Sequence, residues 1–322
     1  MSKPVLFSCF RPIERAENLR AIYEAYDGTK QLVHSYDPDY KDVVTSGNYD
    51  LMVIDDMPAY TPGKSISIGH GIQGGKFVGL DQPRNPYYDR SVADRVTYLI
   101  SAGHGTVGMS EHSFCIPRDR ILALGMPRTD QYVCKKKGDG HTVLAGKRAY
   151  LYVPTFRDKG ETQFPDIDWD YIDSQLSSGE VLAIKPHPWY YQYVSKTITE
   201  KKYRHIIGIP GDEPSAPYLY DADVVITDYS SIMFDAYLLD KPVVLFEKRP
   251  GYLQTRGMYM EYPSQYSSRY ATNEHDLIDL LRNSYSLRAT ERECLKIVAD
   301  MCDGHSCERI CRLIKQLNGG EH

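Results

Sequence analysis

Short, nearly unbroken apolar runs recur along this chain, separated by polar or helix-periodic segments. Val5 to Phe10, Leu32 to Tyr36, Tyr49 to Ile54, Ser65 to Ile68, Tyr98 to Ser101 and Ile121 to Leu124 each read as a strand. Glu14 to Tyr26 reads as a helix, with Leu19, Ile22, Tyr23 and Tyr26 on one face. Strands that alternate with helices in this way build a parallel sheet covered by helices, so the expected fold class is α/β.

The stretch 135–148, KKKGDGHTVLAGKR, is polar and glycine-containing, and a domain boundary is placed there. A second strand series follows at Ala149 to Val153, Val181 to Ile184, His205 to Ile207, Asp223 to Ile226 and Pro242 to Phe246. Helices are expected at Ser231 to Leu239 and Glu274 to Leu281, then in a tail from Thr290 to Leu317 broken at Asp303-Gly304. A chain of 322 residues exceeds one ordinary domain. The expectation is two Rossmann-like domains, at 1–140 and 141–322, facing across a cleft, with the C-terminal helices packing back on the first.

Composition excludes several function classes. A net charge of −5 gives no global signature for nucleic acid or an anionic membrane. The one basic run, Lys135-Lys136-Lys137, reads as a solvated linker. Seven cysteines, an odd number scattered over the chain, imply no disulfide framework and fit a reducing cytoplasm. Cys302, His305, Cys307 and Cys311 cluster, but only Cys307 and Cys311 share helical i,i+4 spacing, which favours buried helix thiols over zinc. The opening run Val5-Leu6-Phe7 is too short for a signal peptide. No stretch approaches the roughly 20 apolar residues of a membrane span, so a soluble or peripheral protein is expected.

Ligands of open parallel sheets bind beyond the carboxyl ends of the strands. Four polar constellations fall at such ends: Gly69-His70-Gly71, Pro154-Thr155-Phe156-Arg157-Asp158, Lys185-Pro186-His187-Pro188 and Thr227-Asp228-Tyr229-Ser230-Ser231. Ser230 and Ser231 open a helix, where backbone N–H groups favour an anion and the hydroxyls add donors; plain N-capping is the alternative. Asp228 would repel a phosphate and is assigned to capping amides or orienting neighbours. Asp235, four residues after Ser231, shares its helix face and either accepts from ribose hydroxyls or is simply solvated. Arg157 suits bidentate phosphate recognition, and His187 sits in a rigid segment between two prolines. His70, flanked by glycines, is the candidate general base. His104, in a second Gly-His-Gly, competes for that role and ranks below it because it adjoins a helix start.

These motifs together resemble the CDP-glycerol glycerophosphotransferases, the teichoic acid primases and polymerases of the TagB/TagF type. Val225 to Asp235 looks like the ITDYSSxxFD signature of that family, and Gly125-Met126-Pro127-Arg128-Thr129-Asp130 like its GxPRxD. Tyr152 to Asp158 resembles YAPTWRD, Lys185 to Pro188 resembles K/R-x-HP, and Asp303-Gly304 followed by Arg309-Ile310 resembles DGxxxxR. The resemblance covers most of residues 65–315. It implies a GT-B fold and transfer of a polyol phosphate, glycerol or ribitol phosphate, from a CDP-activated donor to an acceptor hydroxyl with release of CMP.

By that resemblance His70, Arg157 and His187 are catalytic. Gly71, Thr155, Lys185, Thr227, Ser230, Ser231 and Asp235 bind donor, while Asp228, Arg128 and Asp130 support the structure. No metal or other cofactor is implied. The partners implied are the CDP-polyol and a lipid-linked or polysaccharide acceptor, handled in the cytoplasm or peripherally at the inner membrane face. The first domain would take the acceptor and the second the donor. After His70 the family usually reads HGTPLK, whereas this chain reads His70-Gly71-Ile72-Gln73-Gly74-Gly75-Lys76. The chain also begins at its first strand, without a long N-terminal extension. A primase-like or capsule-decorating enzyme is therefore expected as readily as a polymerase. A nucleotide-sugar glycosyltransferase is the alternative enzyme, and a nucleotide-binding scaffold the non-enzymatic one.

Overall fold

The computed structural model describes residues 3–57, 61, 63–69, 71–81, 90–155, 166–187, 190–248 and 257–319. Of the residues singled out above, His70, Phe156, Arg157, Asp158 and Pro188 lie outside the described residues. The chain separates into two compact units, Met1–Val133 with Lys296–His322, and Cys134–Leu295.

The first unit holds β1 (Val5–Cys9), β2 (Lys30–His34), β3 (Leu51–Ile54), β4 (Lys64–Ser67), β5 (Tyr98–Ser101) and β6 (Ile121–Ala123), ordered β2-β1-β3-β4-β5-β6. The second holds β7 (Arg148–Tyr152), β8 (Glu180–Ile184), β9 (Ile206–Gly208), β10 (Val224–Thr227), β11 (Val243–Phe246) and β12 (Tyr270–Ala271), ordered β12-β11-β10-β7-β8-β9. The described pairings are parallel in both sheets, as the strand–helix alternation predicts. Counted from β7, the second order is the 3-2-1-4-5-6 arrangement of dinucleotide-binding sheets.

Helices on both faces explain why the strands are legible as apolar runs. Every residue of β1, β3, β10 and β11 is buried, and a strand covered on both sides needs no polar alternation. In the second unit Tyr152, Ile184, Ile226 and Phe246 pack with Ile172, Ile278 and Leu281 from helices. Burial of each such side chain contributes about 1.5–3 kcal/mol.

Three expectations shift. β2 occupies Lys30–His34 rather than 32–36, because the Asp37 carboxylate accepts the His34 N–H at 2.7 Å and turns the chain. The first helix breaks into a short 3-10 turn, Ile13–Arg15, and a helix at Glu17–Ala25. The basic run is exposed just past the break between the units, as a solvated linker would be, but it is also anchored: Lys137 lies 2.6 Å from Asp223, and Lys135 sits 5.5 Å over the Tyr220 ring. Beside it, buried Asp221 accepts the N–H groups of Gly138, Gly140 and Thr142 at 2.8–3.1 Å, so the glycine-rich stretch is pinned.

The tail forms helices Ala289–Ala299 and Ser306–Leu317. Gly304, at φ +93°, makes the break between them. Asp130 accepts the N–H groups of Ser306 (3.0 Å) and Cys307 (2.7 Å), which begin the last helix. Arg309 ties that helix to Asp303 at 2.7 Å and to the Leu124 carbonyl at 3.1 Å. These contacts lie within the first unit.

Candidate active site

The second sheet reverses its winding between β7 and β10. Loops leave the carboxyl ends of both strands there, and such a reversal opens the ligand crevice of a doubly wound sheet. Two side chains staple these loops together. The Thr227 hydroxyl donates to the Val153 carbonyl at 2.6 Å. One oxygen of Asp228 accepts the N–H of Thr155 and the N–H of Tyr229, each at 2.7 Å. Asp228 is only 2% exposed, so the two amides meet a carboxylate held away from solvent.

Tyr229 is fully buried and extends the brace. Its hydroxyl donates to the Glu247 carboxylate, which also accepts the Tyr270 hydroxyl at 2.5 Å. Its ring lies against Tyr262 at a centroid distance of 4.9 Å. Burial, and then the hydrogen bond to Glu247, push the Tyr270 phenol well above its ordinary value, so it stays a donor at neutral pH. With Tyr229 fixed, the next two residues emerge half-buried at the start of the helix Ile232–Leu238.

Ser231 stands at the N-cap position in a helical conformation (φ −62°, ψ −9°) and makes no side-chain capping bond. Ser230 offers only a long contact, 3.4 Å, from the Ile232 N–H. Plain capping therefore accounts poorly for the serine pair. The helix is short, so an anion here would rely on amides and hydroxyls more than on a macrodipole. Asp235 is 2% exposed, which removes the solvated alternative for that carboxylate.

Lys185 directly follows β8, the strand beside β7, and its N–H donates to the Tyr152 carbonyl at 2.9 Å. Its ammonium is nearly buried and reaches the Gly211 carbonyl at 3.4 Å. The His187 carbonyl accepts the Tyr190 N–H at 2.8 Å, turning the chain into the helix Tyr191–Lys201. Thr155, Lys185, Thr227, Asp228, Ser230 and Ser231 thus gather at the carboxyl ends of three neighbouring strands. A lysine, hydroxyls and helix-start amides in that place suit a phosphorylated ligand.

Gly71, Arg128 and Asp130 belong to the first unit. β4 leads into Gly69, whose φ of +68° favours glycine. The Gly69 carbonyl accepts from the Asn18 amide at 3.1 Å, and Asn18 in turn accepts the Arg128 N–H at 3.1 Å. Buried Asn18 thereby joins the loop preceding His70 to the Gly-x-Pro-Arg segment. Gly71 opens the segment 71–76, which rests on the same unit. There the Ser110 hydroxyl donates to Gln73, and a Cβ on Gly74 would lie 2.6 Å from Val298. Asp130 caps the last helix, as described above.

Several supporting residues were not foreseen from the sequence: Asn18, Glu247, and Asp55 with Arg11. Asp55 sits where the first sheet reverses, between β1 and β3; it accepts the Phe10 N–H at 3.1 Å and pairs with Arg11 at 3.1 Å. An acidic residue directly after β3 was the available signal for Asp55. Asn18 and Glu247 carried none.

Comparison with known proteins gives a consistent result. The sequence model of the family described as CDP-glycerol:poly(glycerophosphate) glycerophosphotransferase matches residues 41–316. The chain is 25% identical over 279 residues to a teichoic acid glycerol-phosphate transferase of Staphylococcus aureus (strain NCTC 8325 / PS 47), covering 79% of this chain and 69% of that protein. It is 28% identical over 270 residues to a teichoic acid glycerol-phosphate primase of Bacillus subtilis (strain 168), covering 79% and 68%. Its fold is similar to a structure of the wall teichoic acid polymerase TagF, with a TM-score of 0.76 and 21% identity over 98% of this chain and 88% of that one. Among the described residues, no helix is long and apolar enough to cross a membrane.

Proposed function

Because the chain belongs to the CDP-glycerol:poly(glycerophosphate) glycerophosphotransferase family, and so transfers a polyol phosphate from a CDP-activated donor, we propose that the second unit grips the donor pyrophosphate at Ser230 and Ser231. The observation that carries this reading is Asp228, whose one oxygen takes the amides of Thr155 and Tyr229 and locks the two loops at the sheet reversal. Lys185, His187 and Arg157 would add the cationic charge that a pyrophosphate needs, and Asp235 would face the ribose.

The reaction is a direct displacement at the β-phosphorus. The acceptor hydroxyl forms the new P–O bond, the bond to the bridging oxygen breaks, and CMP leaves. His70, one residue beyond Gly69, takes the hydroxyl proton. Arg157 and His187 stabilise the charge that develops on the leaving CMP. Positioning and fixed charge would supply most of the acceleration. The acceptor is a polyol-phosphate or glycan chain of the cell envelope, taken by the first unit, with the enzyme working at the inner face of the membrane.

The test is CMP release from CDP-glycerol and CDP-ribitol, beside a panel of CMP-, UDP- and GDP-sugars. Release from a CDP-polyol that falls by two orders of magnitude or more in Ser230→Ala/Ser231→Ala and in His70→Ala is expected. Turnover of nucleotide sugars alone would overturn the reading.

A further inference from the structure

His104 lies directly after β5, the neighbour of β4, whose end leads to His70. Its ring Nδ1 is 2.7 Å from one oxygen of Asp300, and its backbone N–H donates to the other oxygen at 2.8 Å. An ionised carboxylate can only accept, so Nδ1 carries the proton. In the neutral ring that leaves Nε2 as the acceptor, on the edge facing away from Asp300. The side chain is 70% exposed, so a large solute can reach that nitrogen.

The surroundings are built to hold this ring. A Cβ on Gly103 would lie 2.2 Å from the Asp300 carboxylate, and one on Gly105 2.2 Å from the Ile297 carbonyl. Both glycines are needed for His104 to dock this closely on the end of the helix Ala289–Ala299. Beneath it, buried Ser101 and Thr106 share a 2.7 Å hydrogen bond, and the Gly103 N–H donates to the Thr106 hydroxyl at 3.2 Å. The partly exposed Ile297 side chain adds an apolar surface beside Gly105. The segment 71–76 rests on the same platform through Gln73–Ser110 and the contact of Gly74 with Val298. Neighbouring parallel strands lie about 4.8 Å apart, so these two strand-end loops serve one region of the first unit.

We infer that His104, oriented by Asp300, is a substrate-contacting residue that holds the acceptor by accepting a hydrogen bond from one of its hydroxyls. This rests on the reading of the protein as a polyol-phosphate transferase. A polyol-phosphate acceptor carries several hydroxyls. If one is activated at His70, a fixed imidazole one strand away would hold another in register. The role is distinct from proton removal: it governs acceptor affinity.

His104→Asn keeps an amide nitrogen near the Nδ1 position, so the Asp300 contact survives while the outer nitrogen is lost. His104→Gln places a polar group nearer the Nε2 position. A short glycerol-phosphate oligomer is titrated into each protein by calorimetry, and acceptor and donor KM are measured by CMP release. In His104→Asn, acceptor Kd and KM should rise about tenfold, while donor KM stays within about twofold. His104→Gln should restore part of the loss. Wild-type acceptor Kd and KM in His104→Asn would overturn the inference, as would an equal rise in donor and acceptor KM. A wild type that releases no CMP from any CDP-polyol would overturn the functional reading instead, and oligomer binding would still decide the role of His104.

Discussion

A carboxylate beside a phosphate site needs a reason, and at Asp228 that reason is backbone geometry. The side chain is 2% exposed, and one oxygen takes two amides at 2.7 Å. Hydrogen bonds to a charged group contribute about 1.5–3 kcal/mol each. Asp228→Ala should therefore lose about 3–6 kcal/mol of stability and raise donor KM sharply. Asp228→Asn keeps an acceptor oxygen in place and should lose much less of both. Urea unfolding beside donor KM separates the two variants, and an alanine variant equal to wild type in both would dismiss the staple. A second residue-scale test lies away from the site. Glu291 is fully buried, meets Arg269 at 2.7 Å, and also accepts the Ser267 hydroxyl at 2.8 Å. Glu291→Gln leaves the guanidinium buried without its counter-charge, and a cost of about 3–5 kcal/mol is expected. Replacing both partners with apolar residues should recover much of it. A wild-type denaturation midpoint in Glu291→Gln would show that the pair carries little.

At the scale of elements, legibility followed burial and sequence locality. β10 and β11 are covered on both faces, so they appear as VVIT and VVLF and are plain in the sequence. β12 is a two-residue edge strand, Tyr270–Ala271, with no run to recognise. β2 was misplaced because its apolar signal is only Leu32 and Val33, and its end is set by the Asp37 side chain. The placement of Thr155, Lys185, Thr227 and Ser230 at or just beyond strand ends was readable from position. Residues that act across the chain were not: Asp300 is 196 positions from His104, and Glu247 meets Tyr229 only through folding. Asp303 and Arg309 were visible as a motif, yet their task appears only as a clasp on the last helix. The Arg309 guanidinium holds the Asp303 carboxyl down to about 2, below its ordinary 3.8. A depressed folded value means that the clasp contributes fully above about pH 4 and is lost as pH falls towards 2. Asp303 is half-exposed, so the effect should be modest and weakened by salt. Asp303→Asn should lower stability modestly at pH 7 and flatten its fall between pH 4 and 2, so that variant and wild type converge at the acid end, as followed by urea midpoints across that range. An unchanged slope would place the acid sensitivity elsewhere.

For the whole molecule, the two units differ in how the chain makes them. Cys134–Leu295 is continuous and contains all six strands of the second sheet with their own core. The other unit is assembled from Met1–Val133 and Lys296–His322. The returning segment is no ornament there: Ile310 and Ile314 are fully buried, the Met126 N–H meets the Cys302 sulfur at 3.4 Å, and Lys315 pairs with Asp27 at 2.7 Å. Removing it would strip cover worth about 1.5–3 kcal/mol from each of those isoleucines alone, besides the Asp130 cap. A fragment of residues 1–133 should therefore lack a cooperative melt, and joining 296–322 to it through a flexible linker should restore one. The fragment 134–295 should melt cooperatively by itself. If the donor grip resides at Ser230 and Ser231, that fragment should also bind CDP in a calorimetric titration, and Ser230→Ala/Ser231→Ala within it should abolish the heat. Cooperative melting without CDP binding would move the donor contacts out of the second unit. A fragment 134–295 with no melting transition would mean that its sheet depends on residues beyond its own stretch of chain.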